Sequence, residues 1–310
     1  MSHLLGIDGG GTRTTAWLTN ERGRVVARAE AGPSNPLKVG FESAECELLR
    51  AARLAKRRAH VNEDVLGAVC VGLAGVDRPQ VHRPLLTWLH KSIPARHHLL
   101  TSDAAIALQA AVGDSPGIMV ISGTGSIGYG RDQHGRVLRS GGWGTTFDDV
   151  GSGYDLGRKA IGAALRALDG RGRRTRLESK VCRALHLHDI TQVILRPLAP
   201  HQIAALFPLV LEAARDGDRV ARELCEDAGR ELADIAVALL DRFGWRRRRV
   251  PVACSGGVFA SSLQIRRSFA RHLRRRAPHA RVILLRRPAV EGAIALARAL
   301  ASGTKAAGAG

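Results

Sequence analysis

Residues 4–28, LLGIDGGGTRTTAWLTNERGRVVAR, decide how the rest of this chain is to be read. A short apolar strand ends at Asp8 and runs into a glycine triplet and hydroxyl residues; a second strand, a polar turn at residues 20–23 and a third strand follow. Glycines let a backbone come close to a ligand, and hydroxyls with unpaired N–H groups supply donors for phosphate. The stretch predicts a phosphate clamp built on a hairpin.

The plan returns in residues 118–141, IMVISGTGSIGYGRDQHGRVLRSG: strand, Gly/Ser/Thr loop, strand, turn at residues 133–135, strand. A repeated clamp implies two similar domains facing each other across a cleft, each giving one loop to the same polyphosphate. Two familiar alternatives fit less well. Gly123, Gly125 and Gly128 satisfy G-x-G-x-x-G, but a hairpin rather than a helix follows, against a dinucleotide fold. A P-loop needs lysine directly after its second glycine, and no lysine here follows a glycine.

With 310 residues, 45% of them hydrophobic, the chain can bury a full core and supply two domains. No apolar run approaches the roughly 18 residues of a membrane span, and no basic region with an apolar signal core opens the chain. A soluble, cytoplasmic protein without a membrane partner is expected. Cys46, Cys70, Cys182, Cys225 and Cys254 lack C-x-x-C spacing, which predicts reduced thiols rather than zinc or disulfides. The formal charge of +19 raises the question of a nucleic-acid partner. The arginines, however, are spread over several predicted helices and over loops such as residues 171–176 and 246–249, with little aromatic interleaving. An arginine-rich solvated surface is expected, and a nucleic-acid partner is not.

Along the chain, residues 32–40, GPSNPLKVG, read as an irregular loop and residues 113–117, GDSPG, as the strongest linker signal. Apolar runs predict strands at 65–73, 98–102, 250–254 and 281–285. Helical spacing covers 42–59, 79–91, 103–112, 154–168, most of 177–243, 260–275 and 289–301. This is an α/β chain with mixed sheets flanked by helices. Residues 1–114 with 290–302 are expected to form an N-terminal domain and 115–289 a C-terminal one, with a disordered tail over 303–310.

Asp8-Gly9-Gly10-Gly11-Thr12, Ser122-Gly123-Thr124-Gly125-Ser126 and Ser255-Gly256-Gly257-Val258 resemble, in order and spacing, the first phosphate, second phosphate and adenosine loops of the actin and hexokinase superfamily. With Ser34-Asn35-Pro36, Thr101-Ser102-Asp103-Ala104, Gly141-Gly142-Trp143-Gly144 and Asp149-Val150-Gly151-Ser152, the chain is most similar to the N-acetylglucosamine kinases, which belong with the BadF/BadG/BcrA/BcrD ATPases. The resemblance covers nearly the whole chain. It implies two ribonuclease-H-like domains with a cleft between them, ATP and Mg²⁺, a homodimer, and phosphoryl transfer from ATP to the 6-hydroxyl of N-acetylglucosamine or glucosamine. It implies that Asp103 is the catalytic base and that Asn35 and Asp149 bind sugar hydroxyls. One departure stands out: the family's Gly-Asp-Glu-Gly-Ser stretch reads Asp148-Asp149-Val150-Gly151-Ser152 here. The alternatives on the same fold are an ATPase activator of a 2-hydroxyacyl-CoA dehydratase-type enzyme and a non-catalytic sugar sensor.

Each residue also has a plainer reading. Asp103, between a strand end and a helix start, suits a general base or a simple N-cap. Asp8 suits Mg²⁺ beside the phosphates or an ordinary turn. Gly10, Gly11, Thr12, Gly123, Thr124 and Gly125 are expected at the ATP phosphates, and Gly256 and Gly257 at the nucleoside; strand-ending turns are the alternative. Asn35 serves a sugar or a turn, and Trp143 packs under a sugar ring or in the core.

Overall fold

The computed structural model describes residues 2–62 and 64–303. Strands β1 (His3–Gly9), β2 (Thr14–Asn20), β3 (Val25–Ala31), β4 (Leu66–Leu73) and β5 (Ala95–Thr101) form one sheet, in the order β3-β2-β1-β4-β5. Strands β6 (Gly117–Ser122), β7 (Ser126–Arg131), β8 (Val137–Gly141), β9 (Pro251–Ser255) and β10 (Arg281–Leu284) form a second, in the order β10-β9-β6-β7-β8. The two orders are the same when read from the hairpin side, so the repeat seen in the loops extends to whole sheets.

Helices α1 (Pro36–Val39), α2 (Phe41–Arg58), α3 (Pro79–Ser92) and α4 (Asp103–Val112) accompany the first sheet. Then come α5 (Gly153–Leu168), α6 (Leu177–Ala184), a 3-10 turn (Ile190–Leu195), α7 (Pro200–Ala204), α8 (Phe207–Arg215), α9 (Arg219–Arg242), α10 (Gly257–Ser261), α11 (Leu263–Arg276) and α12 (Val290–Ala301). The chain forms two compact units. One takes the residues up to Gly117, Gly130–Val137 and the chain from Leu285 on; the other takes Ile118–Tyr129 and Leu138–Leu284. The tail expected over 303–310 lies, past Gly303, outside the described residues. No helix among the described residues is long and apolar enough to cross a membrane.

In the first unit β4 lies between β1 and β5, parallel to both. Helices cover both faces of the sheet, so β4 has no polar side, and all of LGAVCVGL is buried. One face packs Leu5, Ile7, Leu48, Val71 and Leu73 with α2 and α3; the other packs Cys70 and Ile106 with Ala293 and Leu296 of α12. Truncating one of the larger of these side chains would cost about 2–5 kcal/mol. α12 approaches closely enough that a β-carbon on Gly292 would stand 1.9 Å from the carbonyl oxygen of Ile106. In the second unit α5, α8, α9 and α11 enclose one core with Val120, Leu156, Leu232, Phe259 and Phe269.

Three sequence expectations are modified. The strand expected at 98–102 starts earlier, at Ala95. The helix expected over 260–275 is two: Ser262 is extended, with φ −122°, and its hydroxyl accepts from Ile265 N at 3.2 Å to start α11 afresh. The GPSNPLKVG loop contains the single turn α1, because Asn35 caps it and Pro36 presets its first φ.

Candidate active site

In the first unit the strand register sets Asp8 beside Gly72, and Gly72 beside Thr101, so the carboxyl ends of three parallel strands stand in a row. That end of an α/β sheet is where ligands bind, because the loops leaving it carry freed backbone groups. Three segments leave here: the glycine loop after Asp8, the turn at residues 74–77, and Ser102-Asp103 at the start of α4.

The first loop is closed by Gly10 N donating to Arg13 O at 3.0 Å. Its Gly10 carbonyl accepts from Ser34 N at 3.0 Å and from Asn35 N at 3.2 Å. Thr14 donates its hydroxyl to Gly32 O, 2.7 Å away, and lies 2.7 Å from Ser34 Oγ. The 32–40 segment is thereby fastened to the first glycine loop. Asn35 is buried, and its Oδ1 accepts from Leu37 N at 3.0 Å. The turn-forming role is thus real, and the amide NH₂ is what Asn35 has left to offer a ligand.

Ser102, not Asp103, caps α4: its Oγ accepts from Ala105 N at 3.1 Å. Asp103 is the first helical residue, with Oδ1 accepting from its neighbour Ala104 N at 2.8 Å. The N-cap of α4 therefore belongs to Ser102, and Asp103 takes one first-turn N–H. Burial pushes its carboxyl up to about 7, and the charges of Asp8 and Asp77 push in the same direction. Burial likewise raises Asp8 to about 6, against the opposing charge of Arg13. Both residues are nevertheless only half-buried. A carboxyl that titrates near neutrality is matched to taking a proton from a hydroxyl at neutral pH.

The second unit holds its loop in a comparable way. Gly123 N donates to Gly125 O at 2.9 Å, while Gly153 N and Tyr154 N donate to Gly123 O and Thr124 O at 2.8 and 3.2 Å. Ser122 Oγ and Ser126 Oγ donate to Gly151 O and Val150 O at 3.0 and 2.7 Å. Asp149 is buried in the left-handed region, φ 62°, and its Oδ1 accepts from Ser126 N at 3.2 Å. It therefore organises the second glycine loop. Gly256, φ 99°, passes so close to this loop that a β-carbon there would stand 2.1 Å from Ser122 O. Gly257 follows as the first residue of α10. Trp143 is not a core residue: it is 61% exposed and lies under the Arg139 guanidinium, 4.6 Å from its ring centre.

Of the expected residues, Asp8, Gly10, Gly11, Thr12, Asn35 and Asp103 belong to the first unit. Gly123, Thr124, Gly125, Trp143, Asp149, Gly256 and Gly257 belong to the second. Sequence reading missed Asp77, whose charge reaches Asp103, and gave Ser34 no role of its own, although it ties the 32–40 segment to Thr14. The turn at 74–77 signalled the first only through the adjacency of β4 and β5.

The model of the BadF/BadG/BcrA/BcrD ATPase family matches residues 5–296. An N-acetylmuramic acid/N-acetylglucosamine kinase of Clostridium acetobutylicum is 32% identical over 96% of this chain and 99% of its own. A Chromobacterium violaceum protein, solved as a candidate N-acetylglucosamine kinase, is 30% identical, superposes with a TM-score of 0.79, and covers 95% of this chain and 98% of its own. A ROK family glucokinase of Streptomyces griseus, solved with glucose and AMPPNP, shares the fold at 19% identity and a TM-score of 0.61, over 95% and 98% of the two chains.

Proposed function

Because the chain belongs to the BadF/BadG/BcrA/BcrD ATPase family, we propose that it is an ATP-dependent amino-sugar kinase that phosphorylates the 6-hydroxyl of N-acetylglucosamine or glucosamine. The observation that carries the reading is Asp103: a carboxyl next to the N-cap of α4, raised to about 7, in one row with a glycine phosphate loop to which Asn35 is fastened. Asp103 accepts the hydroxyl proton as the new O–P bond forms and the bond from the terminal phosphorus to the β-phosphate oxygen breaks, releasing ADP. Such a base contributes about 10²–10⁴ in rate. The loops contribute positioning: their N–H groups and the hydroxyls of Thr12 and Thr124 hold phosphate, and Asn35 and Asp149 hold sugar hydroxyls.

The residues fit Mg²⁺ in the way that ion is usually held. Among the described residues no group of three or more His, Cys, Asp and Glu is arranged around a metal. One half-buried acidic residue at Asp8, whose carboxyl burial raises to about 6, suits an ion that takes most of its ligands from phosphate and water. Mg²⁺ there would offset charge on the phosphates. An ATP-supplied compartment and free thiols at all five cysteines support a cytoplasmic protein; the homodimer remains part of the proposal, to be read by sedimentation.

ADP release coupled to NADH oxidation, across N-acetylglucosamine, glucosamine, N-acetylmuramic acid, glucose and no sugar, with and without Mg²⁺, tests the reading. Amino sugars should stimulate release and the product should carry phosphate on O6 by NMR. Sugar binding with no stimulated release would instead identify a sensor.

A further inference from the structure

Lys38 is a cation that neither the sugar contacts nor the loop glycines account for. It lies in α1, three residues after Asn35, and its ammonium folds back over the first phosphate loop. Nζ stands 3.0 Å, and Cδ 3.3 Å, from the place a β-carbon on Gly11 would occupy. Any side chain at Gly11 would displace it.

The backbone makes this placement a built one. Lys38 N donates to Asn35 O at 2.9 Å, Asn35 Oδ1 holds the turn through Leu37 N, and Ser34 N and Asn35 N both bind Gly10 O. The lysine is therefore mounted on the same short segment that is fastened to the loop. Its side chain is exposed, and among the described residues its ammonium enters no ion pair or hydrogen bond. Arg13 differs, since its charge acts on Asp8. An unpaired ammonium over a glycine loop is a point cation aimed at an oxyanion.

We propose that Lys38 binds the oxygens of the terminal phosphoryl group of ATP. The segment that presents Asn35 to the sugar then also registers whether the third phosphate is present. Lys38 would neutralise charge on the transferring group, while the hydroxyl proton goes to Asp103. This rests on the kinase reading, and the alternative occupant of the same chemistry is the carboxylate of an acidic amino sugar.

The test compares wild type with Lys38→Met and Lys38→Arg. Calorimetry with ADP and with a non-hydrolysable ATP analogue, both without sugar, is followed by kinetics on N-acetylglucosamine and N-acetylmuramic acid. For Lys38→Met the analogue should bind about tenfold or more weakly, as for losing a charge-assisted hydrogen bond, with ADP affinity unchanged. Turnover on both sugars should fall, and Lys38→Arg should recover part of each loss. Equal weakening of ADP and analogue, or unchanged analogue binding, overturns the proposal. A loss confined to the KM for N-acetylmuramic acid overturns it too, and assigns the ammonium to the sugar. The binding arm needs no turnover, so a wild type that binds the analogue but phosphorylates no sugar would sink the kinase reading, while the analogue-against-ADP comparison still upholds or overturns Lys38.

Discussion

Asp8 and Asp103 lie at the carboxyl ends of parallel strands separated only by β4, and the charge of Asp8 bears on whether Asp103 ionises. Asp8 is among the groups that hold the proton on Asp103 up to about 7. A site arranged in this way stores an electrostatic penalty in the folded state.

That penalty has a sign. Unfolded, the Asp103 carboxyl releases its proton near the ordinary 3.8; folded, it does so near 7. Between those values the folded state binds the extra proton, so stability falls as pH rises through the window and levels off above it. Asp103→Asn removes the penalty. It should be more stable than wild type at pH 8 by on the order of 2 kcal/mol, and nearly equal at pH 4. The full shift would convert to roughly 4, but the residue is only half-buried. Urea denaturation at both pH values measures this, and an Asn variant less stable at pH 8 would contradict it.

Asp77 is exposed and raises Asp103 by repulsion. Asp77→Asn should therefore move the acid limb of kcat/KM to lower pH while leaving the maximal rate close to wild type. A limb that stays in place, or moves up, removes Asp77 from the electrostatics of the base.

Ser102 and Asp103 should separate cleanly. Ser102→Ala removes the cap of α4 and should cost about 1 kcal/mol of stability, seen as a lower Tm, with only a modest loss of turnover. If it inactivated the enzyme as fully as Asp103→Asn, the hydroxyl would have a chemical role that capping does not explain.

Gly256→Ala places a methyl 2.1 Å from Ser122 O on a backbone with φ 99°. Strain in that region costs on the order of 1–3 kcal/mol. On the proposed function the variant should raise the KM for ATP by tenfold or more, because Ser122 and the glycine loop after it must shift. An unchanged KM would mean that the two segments adjust independently.

Much of this fold was legible in the sequence because the duplication is written in residues 4–28 and 118–141 and the sheets repeat the same order. The α/β class follows from the same strands and helices. What was not legible depends on packing or on neighbouring choices of equal merit. Ser102 and Asp103 are both good caps, and only the extended backbone of Ser102, with ψ 156°, decides between them. Asn35 reads in the sequence as a sugar contact or a turn former, and the folded chain shows Oδ1 serving the turn. Trp143 reads in the sequence as packing under a sugar ring or in the core; among the positive-φ glycines Gly141, Gly142 and Gly144 it is exposed, which rules out the core. Lys38 stood in plain view within GPSNPLKVG, but only the α1 turn folds it over Gly11.

The most direct measurement of the central claim is sugar-stimulated ADP formation by wild type and Asp103→Asn at pH 8 with Mg²⁺, alongside calorimetry of ADP binding to both. Wild type should convert N-acetylglucosamine or glucosamine to the 6-phosphate, and Asp103→Asn should bind ADP equally well yet turn over at least about 10²-fold more slowly. Equal turnover by the two proteins would contradict the account.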